Sequence, residues 1–199
     1  MKKIMTLSIC MLVAATSFAS SFASDLSSDF DKRRDMEITL TLDNVEVGQQ
    51  LYIKDSKDFI LYNKTFKTSG SVNNTFDFSA LPNGTYFFEH EKSNQIKVIP
   101  FKVETGKVSF SDAKETIFKP VVKVKDNLVY LSKLELDKEE VSVTLSFENE
   151  YNNYKAIHTE KFTNTANIQR VYNLSENVPG NYKVVIKANG REFAEYFSI

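Results

Sequence analysis

The feature that most constrains the fold is an internal repeat: the second half of the chain carries the pattern of the first, 96 residues later. Aligned without a gap, Phe66 falls on Phe162, Val72 on Ile168, Phe76 on Tyr172 and Phe78 on Leu174. Gly84-Thr85-Tyr86 falls on Gly180-Asn181-Tyr182, and Phe101 and Val103 fall on Phe197 and Ile199. Between 66–103 and 162–199 only 5 of 38 positions are identical, so the weight lies elsewhere. Apolar residues and a turn glycine keep one register over a span longer than a hairpin, which points to two similar domains in tandem.

Each half alternates with period two, the pattern of half-buried strands. Ile38, Leu40 and Leu42 share one face, and Thr39 and Thr41 the other. Strands are predicted around Leu51 and Ile53, then over Phe59–Phe66, Val72–Phe78, Tyr86–Glu91 and Ile96–Val103, with a further short one at Lys107–Phe110. In the second half they follow from Val122 and Val124 through Leu128–Leu134, Val141–Phe147, Tyr154–Phe162, Ile168–Leu174, Tyr182–Lys187 and Arg191–Ile199. Asn189-Gly190 predicts a two-residue hairpin, because a type I′ turn needs positive φ at both positions. In the Leu81-Pro82-Asn83-Gly84 loop, Gly84 is expected to be free to take positive φ. Past the first 23 residues, no stretch of ten has a helical period. The fold expected is all-β: two tandem immunoglobulin-like antiparallel β-sandwiches. With 16 Phe, 9 Tyr and no Trp, their cores should be rich in phenylalanine.

Residues 1–23 have the pattern of a secretory signal peptide: Lys2 and Lys3, an apolar run from Ile4 to Ala15, and small residues at Ser21 and Ala23 before a cleavage site. The expected organisation is a signal peptide at 1–23, a flexible leader at 24–35, one sandwich at 36–111, a linker at 112–117 and a second sandwich at 118–199. The expected location is exported: periplasm, cell surface or extracellular. Cys10, the single cysteine, lies in the apolar run, so the processed chain would lack thiol catalysis, disulfides and zinc–thiolate sites. Loss of Lys2 and Lys3 takes the formal charge from −1 to −3, which gives no electrostatic basis for binding nucleic acid. No later segment is long and apolar enough to be a transmembrane helix.

The chemistry-bearing residues do not assemble into a catalytic pattern. His90 and His158 lie in separate halves and read as surface-strand residues. Glu89 and Glu91 share a strand face, and paired carboxylates can hydrolyse glycosides when about 5–5.5 Å apart across a cleft. Glu139 with Glu140 and Glu148 with Glu150 are further pairs. No catalytic residue, metal site or cofactor is expected. Tyr151 and Tyr154, in a polar stretch from Glu148 to Lys155, are the ligand-binding candidates, since exposed tyrosines stack on sugar rings and anchor protein contacts. Gly84, Tyr86, Gly180 and Tyr182 occupy matching places and read as structural corner residues.

The segment Val178-Pro179-Gly180-Asn181-Tyr182-Lys183-Val184-Val185-Ile186, then Asn189-Gly190-Arg191-Glu192-Phe193 and Phe197-Ser198-Ile199, resembles the end of a type IX secretion C-terminal sorting domain. Leu81-Pro82-Asn83-Gly84-Thr85-Tyr86 shows the same pattern internally. The chain as a whole is similar to small secreted tandem-sandwich proteins of Gram-negative bacteria. The resemblance implies seven-stranded sandwiches without known catalytic residues. The last strand lacks the basic residue usual in sorting domains, and no large cargo precedes it. The function expected is that of an exported, non-enzymatic binding or structural protein of the cell envelope with a protein or glycan partner. The alternatives are a sorting role for the second domain and a small carboxylate-dependent hydrolase.

Overall fold

A computed structural model describes residues 5–7, 30–111, 113–174 and 178–199, with backbone alone for 5–7 and 30–34. The described residues form seventeen strands: β1 (Met5–Leu7), β2 (Phe30–Arg34), β3 (Glu37–Val45), β4 (Gln50–Asp55), β5 (Ile60–Thr65), β6 (Gly70–Asp77), β7 (Gly84–Glu91), β8 (Gln95–Glu104), β9 (Lys107–Phe110), β10 (Glu115–Phe118), β11 (Val121–Lys125), β12 (Leu128–Leu134), β13 (Val141–Glu148), β14 (Tyr154–Phe162), β15 (Asn167–Asn173), β16 (Asn181–Ala188) and β17 (Arg191–Ser198). The expected signal peptide lies outside the described residues except for Met5–Leu7, which pairs antiparallel with β15. The chain divides into two compact units, one spanning Val13–Ile117 and the other joining Met1–Leu12 to Phe118–Ile199.

In the first unit a sheet ordered β2-β3-β6 accompanies one ordered β10-β8-β7-β4-β5, with β9 also on β8. In the second, β11-β12-β15 accompanies β14-β13-β16-β17, and β1 lies on β15. Counting seven strands in each unit from β2 and from β11, both place the first, second and fifth in one sheet and the fourth, third, sixth and seventh in the other. This three-plus-four strand order is that of an immunoglobulin/fibronectin-like sandwich, and it occurs twice.

The cores follow from the alternation. Ile38, Leu40, Leu51, Ile53, Phe78, Phe88, Phe101 and Val103 fill the first. Val129, Leu131, Val143, Leu145, Ile168, Tyr172, Val184 and Ile186 fill the second. The expected phenylalanine enrichment is concentrated in the first unit. There Phe88 lies 5.4 Å from Phe76 and 4.9 Å from Phe101, ring centre to ring centre, and Phe78 lies 4.9 Å from Phe101. Each fully buried ring of this kind contributes roughly 1.5–3 kcal/mol.

The strand starts also say where the copies differ. β12 begins 91 residues after β3 and β13 begins 91 after β4, whereas β16 begins 97 after β7 and β17 begins 96 after β8. The extra length enters between β13 and β15, which start 26 residues apart against 20 for β4 and β6. It is spent on the β13–β14 hairpin, where β14 has 9 residues against 6 in β5.

Two segments depart from expectation. Phe30–Arg34, expected in a flexible leader, is a strand opposite β3, with Phe30 across from Leu40 and Lys32 across from Ile38. An outer strand needs backbone hydrogen bonds rather than an apolar face, so its polar sequence gives no sign of it. Glu115–Phe118, mostly within the expected linker, is a strand beside β8, with Ile117 buried.

The corner residues show why the repeat motif recurs. The Tyr86 hydroxyl donates to the Pro82 carbonyl at 2.9 Å, and the Tyr182 hydroxyl donates to the Val178 carbonyl at 2.8 Å. Both are tyrosine corners, which tie the start of the sixth strand to the loop before it. Gly180 has a φ of 152°, and a Cβ there would come within 2.8 Å of the Phe147 ring. Gly84 does not use its freedom to take positive φ: it already belongs to β7, opposite Val103, and the Tyr86 ring lies 3.5 Å from where its Cβ would stand. Tyr182→Phe should lower stability by about 0.5–1.5 kcal/mol, the usual worth of one such hydrogen bond, measured by urea unfolding.

Tyr172 is fully buried and donates its hydroxyl to Glu160 at 3.1 Å; Arg170 holds the other Glu160 oxygen at 2.9 Å. Burial first, then the Glu160 charge and hydrogen bond, pushes the Tyr172 phenol well above its ordinary value of 10.0. The raised value favours the folded state fully below the unfolded phenol's range. That advantage is lost as pH rises through and beyond it, because the unfolded chain then releases a proton that the folded chain keeps. Stability should therefore fall as pH rises above 10, and fall less steeply in Tyr172→Phe, read as urea midpoints along an alkaline series.

Candidate functional site

The longer β13–β14 hairpin carries both tyrosine candidates. Its turn is pinned by Asn149, whose side-chain oxygen accepts from the Tyr151 and Asn153 amides at 3.0 Å each. The Asn149 amide donates to the Asn153 carbonyl at 2.9 Å, and Asn152 takes a φ of 57°, which asparagine tolerates well. This ordered turn holds Tyr151 out, 81% exposed. Beside it is a depression of about 1030 Å³ lined by Phe147, Glu148, Asn149, Glu150, Tyr151, Lys155, Ala156 and Ile157. An exposed ring, two carboxylates, an amide and an ammonium around an apolar floor can both stack and hydrogen-bond.

Tyr154 does not line the depression. It starts β14 opposite Glu148, its ring edge-on to Tyr196 at 5.6 Å, while the Lys183 ammonium lies 5.3 Å from the Tyr196 ring centre. Desolvation, followed by the Glu148 charge, raises the Tyr154 phenol above its ordinary value. A polar chain adjoins this pair: the Ser198 hydroxyl donates to Asn181, and the Asn181 amide donates to Glu148, both at 2.6 Å. Tyr151 and Tyr154 thus share one hairpin but serve neighbouring surfaces, a loop depression and a sheet face.

The remaining candidates have structural employment. His90, expected on a surface, is buried; its Nε2 is 2.8 Å from the Gln49 side-chain oxygen and its ring meets Phe66. Position along β7 decides this, since His90 follows Tyr86 and Phe88 onto the core side. His158 is half-buried against Tyr172. Glu89 is buried and ion-paired with Lys54 at 2.8 Å, so the Glu89/Glu91 pair does not present two free carboxylates across a cleft. Glu140 is held by Lys161 at 2.8 Å. Among the described residues no group of three or more His, Cys, Asp or Glu side chains is placed to hold a metal ion. No helix among them is long and apolar enough to cross a membrane.

One surface has no counterpart among the predicted sites. Along the outer edge of the first unit, Phe59, Ile60, Leu61 and Tyr62 are exposed by 66%, 55%, 47% and 37%. The signal was present in the sequence as four consecutive apolar residues that break the alternation of their neighbours.

No family model matches this chain, and no curated protein matches it. Solved structures similar to it include the BSP domain of a biofilm associated protein, at 13% identity and a TM-score of 0.28 over 83% of this chain. The chain spans 27% of the length of that structure. The ligand-binding domain of human OSCAR is similar at 12% identity and a TM-score of 0.24, over 83% of this chain and 90% of the other. The FN1–FN3 domains of chicken CNTN1 are similar at 14% identity and a TM-score of 0.27, over 82% and 60%. At such values the strand order carries the fold assignment, and by that order each half of the chain is an immunoglobulin/fibronectin-like β-sandwich.

Proposed function

We propose that this chain is an exported, non-enzymatic binding protein of the cell envelope, taking a protein or glycan ligand at the β13–β14 hairpin of its second unit. The observation that carries this reading is the placement of the extra length. Two units of one topology differ in length along the β13–β14 hairpin, and its turn presents Tyr151 beside a depression lined by apolar and charged side chains. Loops held on a rigid sandwich are the usual seat of recognition in such folds. The mixture of an exposed ring with Glu148, Asn149, Glu150 and Lys155 suits a glycan, whose rings stack while its hydroxyls take hydrogen bonds. Export is supported by the pattern of residues 1–23.

The test is affinity capture from envelope extracts together with a glycan array, using the full chain and Tyr151→Ala. Losing an exposed aromatic anchor should weaken binding by about 1–3 kcal/mol, roughly fivefold to 150-fold. Tyr154→Ala separates the sheet face from the depression. A folded protein that captures nothing specific, or a ligand indifferent to both substitutions, overturns the reading.

A sorting role for the second unit has the Val178–Ile199 pattern behind it. The tyrosine corner accounts for the central part of that pattern as framework, shared with Leu81–Tyr86 inside the first unit. Fusion of residues 118–199 to an exported reporter decides the matter: retention in the periplasm excludes sorting.

A further inference from the structure

β5 is the outermost strand of its sheet, and among the described residues it pairs with β4 alone. Its free side presents backbone N–H and C=O groups, a template for another strand. Proteins ordinarily guard such an edge with charged side chains, proline or a very short strand. The second unit guards the same framework position: β14 there carries Lys155 and Lys161, both exposed. The first unit does the reverse. Phe59 to Tyr62 are four apolar residues in a row, all exposed, and the bulge at Leu61 is the one guarding feature the strand carries among them. The scaffold therefore does not require an apolar edge here, and burying it removes a contiguous apolar patch from water.

We infer that the β5 edge is a self-association surface, on which a second copy of the chain adds its own β5 antiparallel about a two-fold axis. The order of charges along the segment selects this occupant. Asp55 and Asp58, with exposed Lys57 between them, stand before the apolar run and leave that end acidic by one charge, and Lys64 and exposed Lys67 stand after it. Antiparallel pairing brings the Asp58 end of one copy beside the Lys64–Lys67 end of the other, while Phe59–Tyr62 of both copies meet in the middle. Parallel pairing would set like charges together, which is unfavourable. A strand that complements itself when reversed is what a closed two-fold interface needs. This surface lies on the first unit and does not depend on the ligand site proposed for the second.

Sedimentation velocity of the full chain over a wide concentration range tests it. A monomer–dimer equilibrium is expected, weakened roughly tenfold or more by Leu61→Lys, which puts like charges across the axis. Val124→Lys, a change at an exposed apolar position of the second unit, should leave it unaltered. Because Leu61 already faces solvent, the variant should keep the wild-type near-ultraviolet circular dichroism and, at concentrations low enough for both to be monomeric, the wild-type thermal midpoint. Hydrogen exchange should slow with rising concentration at the amides of Ile60–Thr65. A monomer at every concentration overturns the inference, as does a dimer indifferent to Leu61→Lys or one protected elsewhere. If the chain is monomeric but an added unrelated extended apolar peptide protects those amides, the edge takes a foreign strand and self-association is wrong.

Discussion

Glu135→Ala is expected to destabilise the second unit by about 3–5 kcal/mol, because it leaves a buried ammonium without its counter-charge. Lys133 and Glu135 are 1% and 2% exposed, with nitrogen and oxygen 2.9 Å apart. The Lys133 ammonium also donates to the Leu134 carbonyl at 2.8 Å, and the Asn189 amide donates to the second Glu135 oxygen at 3.0 Å. The pair continues the inward row of β12 after Val129 and Leu131. It reaches the β16–β17 turn, where Asn189 and Gly190 have φ of 51° and 68° as the predicted type I′ hairpin requires. Removing the carboxylate strands both Lys133 and the Asn189 amide. Removing both charges leaves no buried ammonium unpaired, though the Asn189 amide still loses its acceptor: Lys133→Met with Glu135→Leu should recover most of the loss. Urea unfolding of the wild type, both single variants and the double variant gives the coupling directly. A single-variant loss below about 1 kcal/mol would place the pair among solvent-screened surface bridges.

Phe88→Ala should cost about 3–5 kcal/mol in the first unit, the range for emptying a buried aromatic site. Phe88 is 1% exposed and touches the rings of Phe76, Phe78, Phe101 and Phe110. With a single cysteine the chain can form no internal disulfide, so the cohesion of this unit rests on apolar packing in which the ring cluster takes part. Rings on β6, β8 and β9, and Phe78 just after β6, would then face a void that cannot close without moving the sheets. Hydrogen exchange locates the damage: amides of β3 and β7 should lose protection while those of β13 and β16 keep it. Phe88→Leu, which retains much of the volume, should cost roughly half as much or less. Equal loss of protection in both units would mean that the ring cluster is not a local core.

Much of the framework could be read in the chain. Alternation at Ile38–Leu42 and Val141–Phe147 located central strands, because a period of two is a direct consequence of the pleat. The Gly-x-Tyr repeat located two corners, because a tyrosine corner needs those residue types near a strand start. Tyr151 was recognisable as a ring in a polar stretch, and the structure places it on the depression. Tyr154 was recognisable for the same reason, but its outer-sheet position beside Tyr196 was not, since that contact joins residues far apart in the chain.

Other features had no local signature. His90 and Glu89 are adjacent, yet one faces the core and the other meets Lys54 on a neighbouring strand. Lys133 and Glu135 look like an ordinary solvated charge run until β12 is set against its neighbours. Phe30–Arg34 has the composition of a tail and becomes a strand because β3 has an edge to fill. The sequence by itself determined the β class, the tandem repetition of one strand pattern and the corner framework, because those rest on periodicity and on residues with few permitted conformations. Tertiary structure alone decided which charges are buried, which edge stays apolar and open, and where the two copies differ in length, because each depends on which strand becomes the neighbour of which.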